Sequence, residues 1–576
     1  MEKLQKPTVT KPRFNRIIPE NIRDVAMTCI LGLCAGLSAV GFLFVINFIH
    51  AHTYAQFVLK SPRYFCIASF VLITTASLLV GLLLTVVSRD AAGSGIPQVK
   101  TGYWKELGFF HIKPLIIKFI AGALSIGGGC SLGREGPSVY IGAGIASNVS
   151  GIFGVPIRQR RGATVVGASA GLAAAFNTPI AAITFIIEEI VGDIGNRYLG
   201  AVVLSSVIGA FAVHAVLGRS PAFSIPEIEN IGWFHYLVVP AVALVAAFAG
   251  IVFQRITLAL RSSLKKQRSF PAWSLPVAGG LITWIVGCTV FLTTGKAGVF
   301  GLGYADLSNA LTNNFEWKIA GIMVLSKLVA TIACYGFGGC GGIFAPSLYI
   351  GAMCGYFIGG LADIWLPLTA ADRIVLSAVG MSACLGALIH APLTSILIVF
   401  EMTHHFALVP GLMLGALISQ AVAHHFAKLN FYEALLIQDG HELHKIKPPL
   451  DLESWRNLSV SIISRSRPVG LRDLSTPTMR HMVDDYPYNN FLVFDKDNVT
   501  GIVTRKQLVD AIASESVPQP QPPVFCYMDQ TVGEASDRFI ESGSQTLIVR
   551  ERASDTVVGI FTLHDLMRMQ AAINNG

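Results

Sequence analysis

The chain has 576 residues, of which 52% are hydrophobic and 14% charged, where a soluble protein carries about 25% charged residues. So few charges cannot cover a water-facing surface, which excludes an ordinary soluble globular protein and directs most of the chain toward lipid or protein. A net charge of +8 suits loops near anionic lipid or a preference for anions, and does not separate the two.

Met1–Arg23 is polar and basic, with Lys3, Lys6, Lys11, Arg13, Arg16 and Arg23 ahead of the first apolar run. It lacks the short apolar core of a secretory signal, and its charge predicts an N-terminus on the cytoplasmic side. Val25–Ile49 and Phe65–Val87 follow, each long enough for the roughly 20 helical residues that cross a hydrocarbon core. Later apolar runs are shorter and broken by glycine and proline. Three breaks share a pattern: GSGIP at 93–97, GREGP at 133–137 and GGIFAP at 341–346. Proline is well tolerated in the first turn of a helix, so each reads as non-helical backbone leading into a helix start. Such backbone survives at membrane depth where protein or a water-filled cavity surrounds it. The free N–H groups of a helix start attract anions without a cationic side chain, and hold them weakly enough for release. A single break of this kind is as readily an ordinary turn; three in one apolar chain point to an anion site.

Glu135, inside GREGP, is the carboxylate of most interest. An acid within a membrane segment is costly unless paired or neutralised, and beside an anion site its charged form competes with the ion for the same N–H groups. The alternative is a salt bridge to Arg134. Glu188, Glu189 and Glu401 close later apolar runs, at positions that suggest the cytoplasmic mouth.

A repeat runs through this region. PSVYIGA at 137–143 returns as PSLYIGA at 346–352, an offset of 209 (346 − 137). PIAAITFIIE at 179–188 returns as PLTSILIVFE at 392–401, an offset of 213 (392 − 179), with Gly167, Ser169, Ala170 and Ala174 matching Gly380, Ser382, Ala383 and Ala387. Two halves with matched breaks predict a transporter with its site at their interface. Glu188 and Glu401 correspond, so both read as helix-end carboxylates bonded to loop backbone. Glu189 faces Met402 in the alignment, and an acid without a counterpart is the better candidate for a proton station.

From His441 onward the sequence turns mixed and polar, with strand-like runs at 490–494 (NFLVF) and 545–549 (QTLIV) around a proline-rich joint at 517–523. Three segments are expected: a cytoplasmic N-terminus at 1–23, a membrane domain at 24–440 made of halves at about 24–220 and 230–440, and a soluble domain at 441–576. The ten cysteines are scattered without C-x-x-C spacing and read as reduced packing residues. No metal-ligand cluster, Ser/His/Asp set or H-E-x-x-H stands in the apolar core, so neither an enzyme nor a metal site is expected, and nothing calls for nucleic acid.

GSGIP, GREGP and GGIFAP, in this order and spacing, together with GLAAAFNTPIAAITFIIEE at 171–189 and APLTSILIVFEMT at 391–403, resemble the signature of the CLC chloride channels and transporters. The resemblance covers essentially the whole membrane domain. It implies a mainly α membrane protein, an inverted repeat of broken, tilted helices, assembled as a homodimer with one anion pathway per subunit. By that resemblance Ser94 offers its hydroxyl to the central chloride, Ile343 and Phe344 offer backbone N–H groups, Tyr432 offers its phenol, and Gly133 and Arg134 are expected among the chloride-binding residues. Glu135 matches the external gating glutamate and Glu189 the internal proton-transfer glutamate of the exchangers. Cys340 stands where several relatives carry proline, so the local backbone is expected to differ. Some nitrate-preferring relatives carry proline in place of Ser94, and the fluoride exporters depart from these signatures; this chain does neither, which favours chloride. The tail resembles a pair of cystathionine-β-synthase (CBS) modules, a small α/β cytoplasmic domain, with GIVTRKQL at 501–508 and GIFTLHDL at 559–566 as its repeated ending. In nucleotide-binding relatives the aspartate of G-x-x-T-x-x-D contacts the ribose; Thr562 and Asp565 keep that pattern, so one ATP, ADP or AMP site and a purely structural module are both open.

The leading expectation is a chloride/proton antiporter in the plasma membrane of a prokaryote, with both termini cytoplasmic. A passive voltage- or pH-gated chloride channel on the same scaffold is its nearest rival, and Glu189 argues against it. A membrane-anchored nucleotide sensor without transport is the alternative of another class.

Overall fold

The computed structural model describes residues 20–192, 198–218, 222–223, 225–226, 232–266, 270–441, 454–466, 468–496 and 498–574. The basic residues at positions 3–16 lie outside them. The chain divides into two compact units, between Ile446 and Lys447.

The first unit is all helical. In its first half run α1 (Glu20–His52), the single turn α2 (Tyr54–Phe57), α3 (Pro62–Leu82), α4 (Ile96–Trp104), α5 (Ile112–Gly127), α6 (Glu135–Ile152), α7 (Arg161–Phe176), α8 (Pro179–Phe185) and α9 (Leu199–Leu217). The second half holds α10 (His235–Lys266), α11 (Leu275–Thr294), α12 (Tyr304–Leu311), α13 (Trp317–Gly336), α14 (Phe344–Ala362), α15 (Ala370–Ile389), α16 (Pro392–Thr403), α17 (Val409–Phe426) and α18 (Phe431–Gln438). Among the described residues, nine helical segments are long and apolar enough to cross a membrane. At about 1.5 Å per residue, α4, α8 and α12 cannot cross a core about 30 Å thick. The start of α4 is buried, and α4, α6 and α14 start at the three glycine-rich breaks as expected.

The innermost pairs are α6 with α7 and α14 with α15, whose residues are almost all buried. Glycine sets their approach. A Cβ on Gly351 would lie 2.1 Å from the Gly380 carbonyl oxygen, and one on Gly380 would lie 2.0 Å from that of Gly351. The matching first-half pair, Gly142 and Gly167, gives 2.3 and 2.2 Å. Any larger residue must push the helices apart.

Two contacts relate the halves by a two-fold operation. Gly133 and Gly342, 209 positions apart (342 − 133) like the repeat, form an antiparallel bridge. Gly133 N–H donates to the Gly342 carbonyl at 2.7 Å, and Gly342 N–H to that of Gly133 at 2.6 Å. Reciprocal, antiparallel pairing of equivalent positions is what an inverted repeat produces where its axis passes. The second contact corrects one expectation. Glu188 and Glu401 do bond to backbone, but to the helix start of the opposite half rather than to a loop. Glu188 accepts from Leu393 N–H (3.2 Å) and Thr394 N–H (2.9 Å) at the head of α16. Glu401 accepts from Ile180 N–H (2.9 Å) and Ala181 N–H (2.7 Å) at the head of α8. Each carboxylate meets orphan donors and the positive end of a helix dipole.

The second unit is α/β and contains two similar modules. In the first, β2 (Gly470–Leu471) runs parallel to β3 (Asn490–Asp495), which pairs antiparallel with β4 (Asn498–Thr504); α19 (Thr476–Asp485) and α20 (Arg505–Ser514) complete it. In the second, β5 (Phe525–Tyr527), β6 (Thr546–Arg550) and β7 (Val557–Thr562) repeat that arrangement with α21 (Val532–Ser542) and α22 (Leu563–Asn574), and β1 (Arg465–Ser466) adds to β7. Both hairpins carry a register shift, at Val493/Phe494 and Val549/Arg550. Each module has its own apolar core, around Leu471, Phe491 and Val503 in one and Cys526, Val549 and Phe561 in the other. All ten cysteines are free thiols, and burial pushes the Cys526 thiol up to about 11 despite the nearby Arg538.

Candidate anion pathway

Ser94 lies on the non-helical approach to α4, where Gly95 adopts φ 102°, a conformation that favours glycine. A Cβ on Gly136 would come within 2.2 Å of Ser94 Oγ, so GSGIP and GREGP touch. A Cβ on Gly342 would lie 3.0 Å from the Gly136 amide nitrogen, which brings GGIFAP to the same place. The three breaks thus converge on one buried point.

Ile343 and Phe344 open α14, and amides at a helix start have no acceptor within the helix. Phe344 and Tyr432, both fully buried, place their ring centroids 6.5 Å apart. Ser94 Oγ and the Tyr432 hydroxyl are buried near one another, and among the described residues neither has a partner within 3.5 Å. Buried hydroxyls are nearly always bonded. Two orphaned O–H donors beside unspent helix-start amides form a donor set without an acceptor, which suits a chloride ion as the missing partner.

Glu135 is the first residue of α6 and fully buried. Its Oε2 accepts from the Ala345 amide at 3.4 Å, so the carboxylate occupies a donor in the first turn of α14. Oε1 accepts from the Tyr304 hydroxyl at 3.3 Å. The salt-bridge alternative does not hold in this structure: Arg134 and Glu135 form no ion pair among the described residues, and the Arg134 guanidinium lies 5.4 Å from the Tyr304 ring centroid. The Gly133 amide is committed to the Gly342 carbonyl. Cys340 is buried, and its sulfur donates to the Ala91 carbonyl at 3.3 Å, so the thiol is a backbone tie between the approaches to GSGIP and GGIFAP.

Glu189 lies apart from this point. It sits in a wide π-helical turn, Ile186–Val191, that continues α8 and has no counterpart in α16. Such turns often mark functional sites. Its Oε1 accepts from Lys100 Nζ at 3.0 Å and its Oε2 from Asn430 Nδ2 at 2.8 Å. Lys100, on α4, also reaches Glu433 at 3.6 Å. Glu433 is 42% exposed and Glu189 2%, so the three form a file of charges leading inward from solvent. Asn430 caps α18 by accepting from Glu433 N–H at 2.8 Å, and so joins Glu189 to the helix that carries Tyr432.

Sequence reasoning missed Lys100, Asn430, Tyr304 and two buried lysines. Lys118 donates to the Ala92 and Gly93 carbonyls, both at 3.1 Å, just before Ser94. Lys327 donates to those of Gly298, Val299 and Gly301 at 2.9, 3.2 and 2.7 Å. The lysines stand 209 positions apart (327 − 118), so the repeat carried a signal for this pair. In the second unit, Thr562 and Asp565 bond to each other: Asp565 Oδ2 accepts from the Thr562 hydroxyl at 2.6 Å, and Asp565 N–H donates to that hydroxyl oxygen at 3.2 Å. Thr504 and Gln507 form the same capping box, so the shared motif is first of all a helix start.

The sequence model described as voltage gated chloride channel matches residues 76–424. The chain belongs to that family, the CLC proteins. A CBS domain model matches residues 515–572. The H(+)/Cl(-) exchange transporter ClcA of Vibrio campbellii is 30% identical over 455 residues, covering 74% of this chain and 93% of its own. The voltage-gated ClC-type chloride channel ClcB of Salmonella typhimurium is 30% identical over 331 residues, covering 57% and 78%. A slow cyanobacterial Cl-/H+ antiporter has the same fold, with a TM-score of 0.66, 24% identity, and coverage of 73% of this chain and 98% of that one. This CLC chain is therefore a multi-pass membrane protein with a CBS-containing α/β tail.

Proposed function

We propose that the protein exchanges chloride for protons across the membrane, with transport rather than catalysis as its activity. The observation that carries this reading is the Glu135 carboxylate on the Ala345 amide, beside two buried hydroxyls that lack an acceptor. An anion and the charged carboxylate then compete for one set of donors, and a proton on Glu135 weakens its claim. Glu189, with Lys100, Asn430 and Glu433, is the inner proton station. Ser94, Ile343, Phe344 and Tyr432 bind the ion, and Arg134 holds the outer wall by packing on Tyr304.

The resemblance to ClcA supports coupling, and the resemblance to ClcB favours a channel as the second reading. The acid at position 189 weighs toward exchange. We place the protein in the plasma membrane of a prokaryote as a homodimer, with both termini cytoplasmic. The exposed apolar residues of α9 and α17, such as Val207, Phe211, Met413 and Leu417, supply surface for lipid or a second copy. A role for the tail in binding ATP, ADP or AMP rests on the CBS match, with Thr562 and Asp565 as the motif residues.

Purified protein in liposomes, under an imposed chloride gradient and with voltage controlled, should move protons uphill. Glu135→Gln should keep chloride flux and lose the coupled proton movement. Coupling that persists in that variant overturns the exchange mechanism; chloride flux without proton movement in the parent establishes the channel.

A further inference from the structure

We infer that the Tyr304 hydroxyl is a latch that holds Glu135 in the anion path, a positioning role that rests on the reading of Glu135 as the ion's competitor. Three observations carry it. Glu135 has two side-chain oxygens, and each has one partner outside its own helix: the Ala345 amide, which an ion would also seek, and the Tyr304 hydroxyl, which belongs to neither α6 nor α14. Tyr304 is itself packed by two neighbours, the Arg134 guanidinium 5.4 Å from its ring and Phe223 at 5.2 Å in an edge contact.

The third observation is the loop that delivers it. Tyr304 is the first residue of α12, and the preceding residues 298–301 wrap around the ammonium of Lys327. The Asp306 carboxylate accepts from the Gly298 amide at 2.7 Å, and the Gly301 amide donates to the Gly129 carbonyl at 3.1 Å. The loop is thus tied at both ends, to α12 and to the approach of GREGP. A fully buried amino group spent on three carbonyls ties down the backbone that carries them. Its repeat counterpart, Lys118, fixes the loop that carries Ser94. The same device therefore sets one polar side chain on each half: the Ser94 hydroxyl toward the ion, and the Tyr304 hydroxyl toward the carboxylate that displaces it.

The groups that donate to the Glu135 carboxylate from other elements are the Ala345 amide and the Tyr304 hydroxyl. Removing the hydroxyl alone should weaken the carboxylate's hold and let chloride bind more tightly. A hydrogen bond to a charged group, at a length of 3.3 Å that places it among the weaker ones, corresponds to about a tenfold change in apparent affinity.

The test is a double-mutant cycle read by calorimetric titration of chloride into the purified full-length protein. Tyr304→Phe should tighten chloride binding about tenfold in the parent and leave it unchanged in a Glu135→Ala background. Equal shifts in both backgrounds, or none in the parent, overturn the latch while the reading of Glu135 stands. If Glu135→Ala alone fails to tighten chloride binding, Glu135 is not the competitor, and the latch falls with that reading.

Discussion

Glu135 and Glu189 are both buried carboxylates, and their partners give them different work. Glu135 meets an amide and a hydroxyl, neutral donors that it can leave without stranding a charge. Glu189 meets the ammonium of Lys100, so its charged form is matched inside the protein. An uncompensated buried charge costs about 3–5 kcal/mol, and Lys100→Met imposes that cost on every step that returns Glu189 to its charged form. Proton flux in liposomes should fall about a hundredfold or more while chloride flux falls less, since about 1.4 kcal/mol is a factor of ten. An equal loss of both fluxes would make Lys100 a part of the scaffold instead. That Glu189 is unusual was legible from Met402 standing opposite it in the repeat. Its partner was not, because Lys100 lies 89 positions away on a helix that only the folded chain brings alongside.

At the scale of elements, α8 and α16 are short helices that cap one another through Glu401 and Glu188. The repeat showed that these acids correspond. It did not show the exchange, because a sequence repeat carries no information about which half a side chain reaches into. Charge-assisted hydrogen bonds contribute about 1.5–3 kcal/mol each, against about 1 kcal/mol for neutral ones. Glu401→Gln loses the charge and one of the two acceptor oxygens, leaving one N–H of α8 against an NH2 group, so it should destabilise the membrane unit by about 2–3 kcal/mol. A lower thermal unfolding temperature in detergent, matched by Glu188→Gln, is the expected measurement. The starts of α4, α6 and α14 were readable in advance for a local reason: proline fixes φ near a helical value and removes a donor that has no partner there.

At the scale of the whole molecule, the chain is two compact units with separate cores. Residues 447–576, expressed alone, should therefore fold and show a cooperative unfolding transition by circular dichroism; a featureless melt would mean that the unit depends on the rest of the chain. Its strands at 490–495 and 546–550 follow the apolar runs read from the sequence, because a β-branched and aromatic run between polar turns has few other ways to bury itself.

Composition, apolar run length and the duplicated motifs determined the membrane class, the two-part organisation, the repeat and the identity of the helix-start breaks. These are local or periodic properties, and a single chain displays them directly. Tertiary structure decided what those breaks face. It set Gly133 against Gly342, spent the Gly133 amide, packed Arg134 on the Tyr304 ring, and supplied Lys100, Asn430 and the buried lysines as partners. The physical reason is that a buried polar group must find its partner wherever the fold offers one. That choice depends on which distant segments meet, and no spacing along the chain records it.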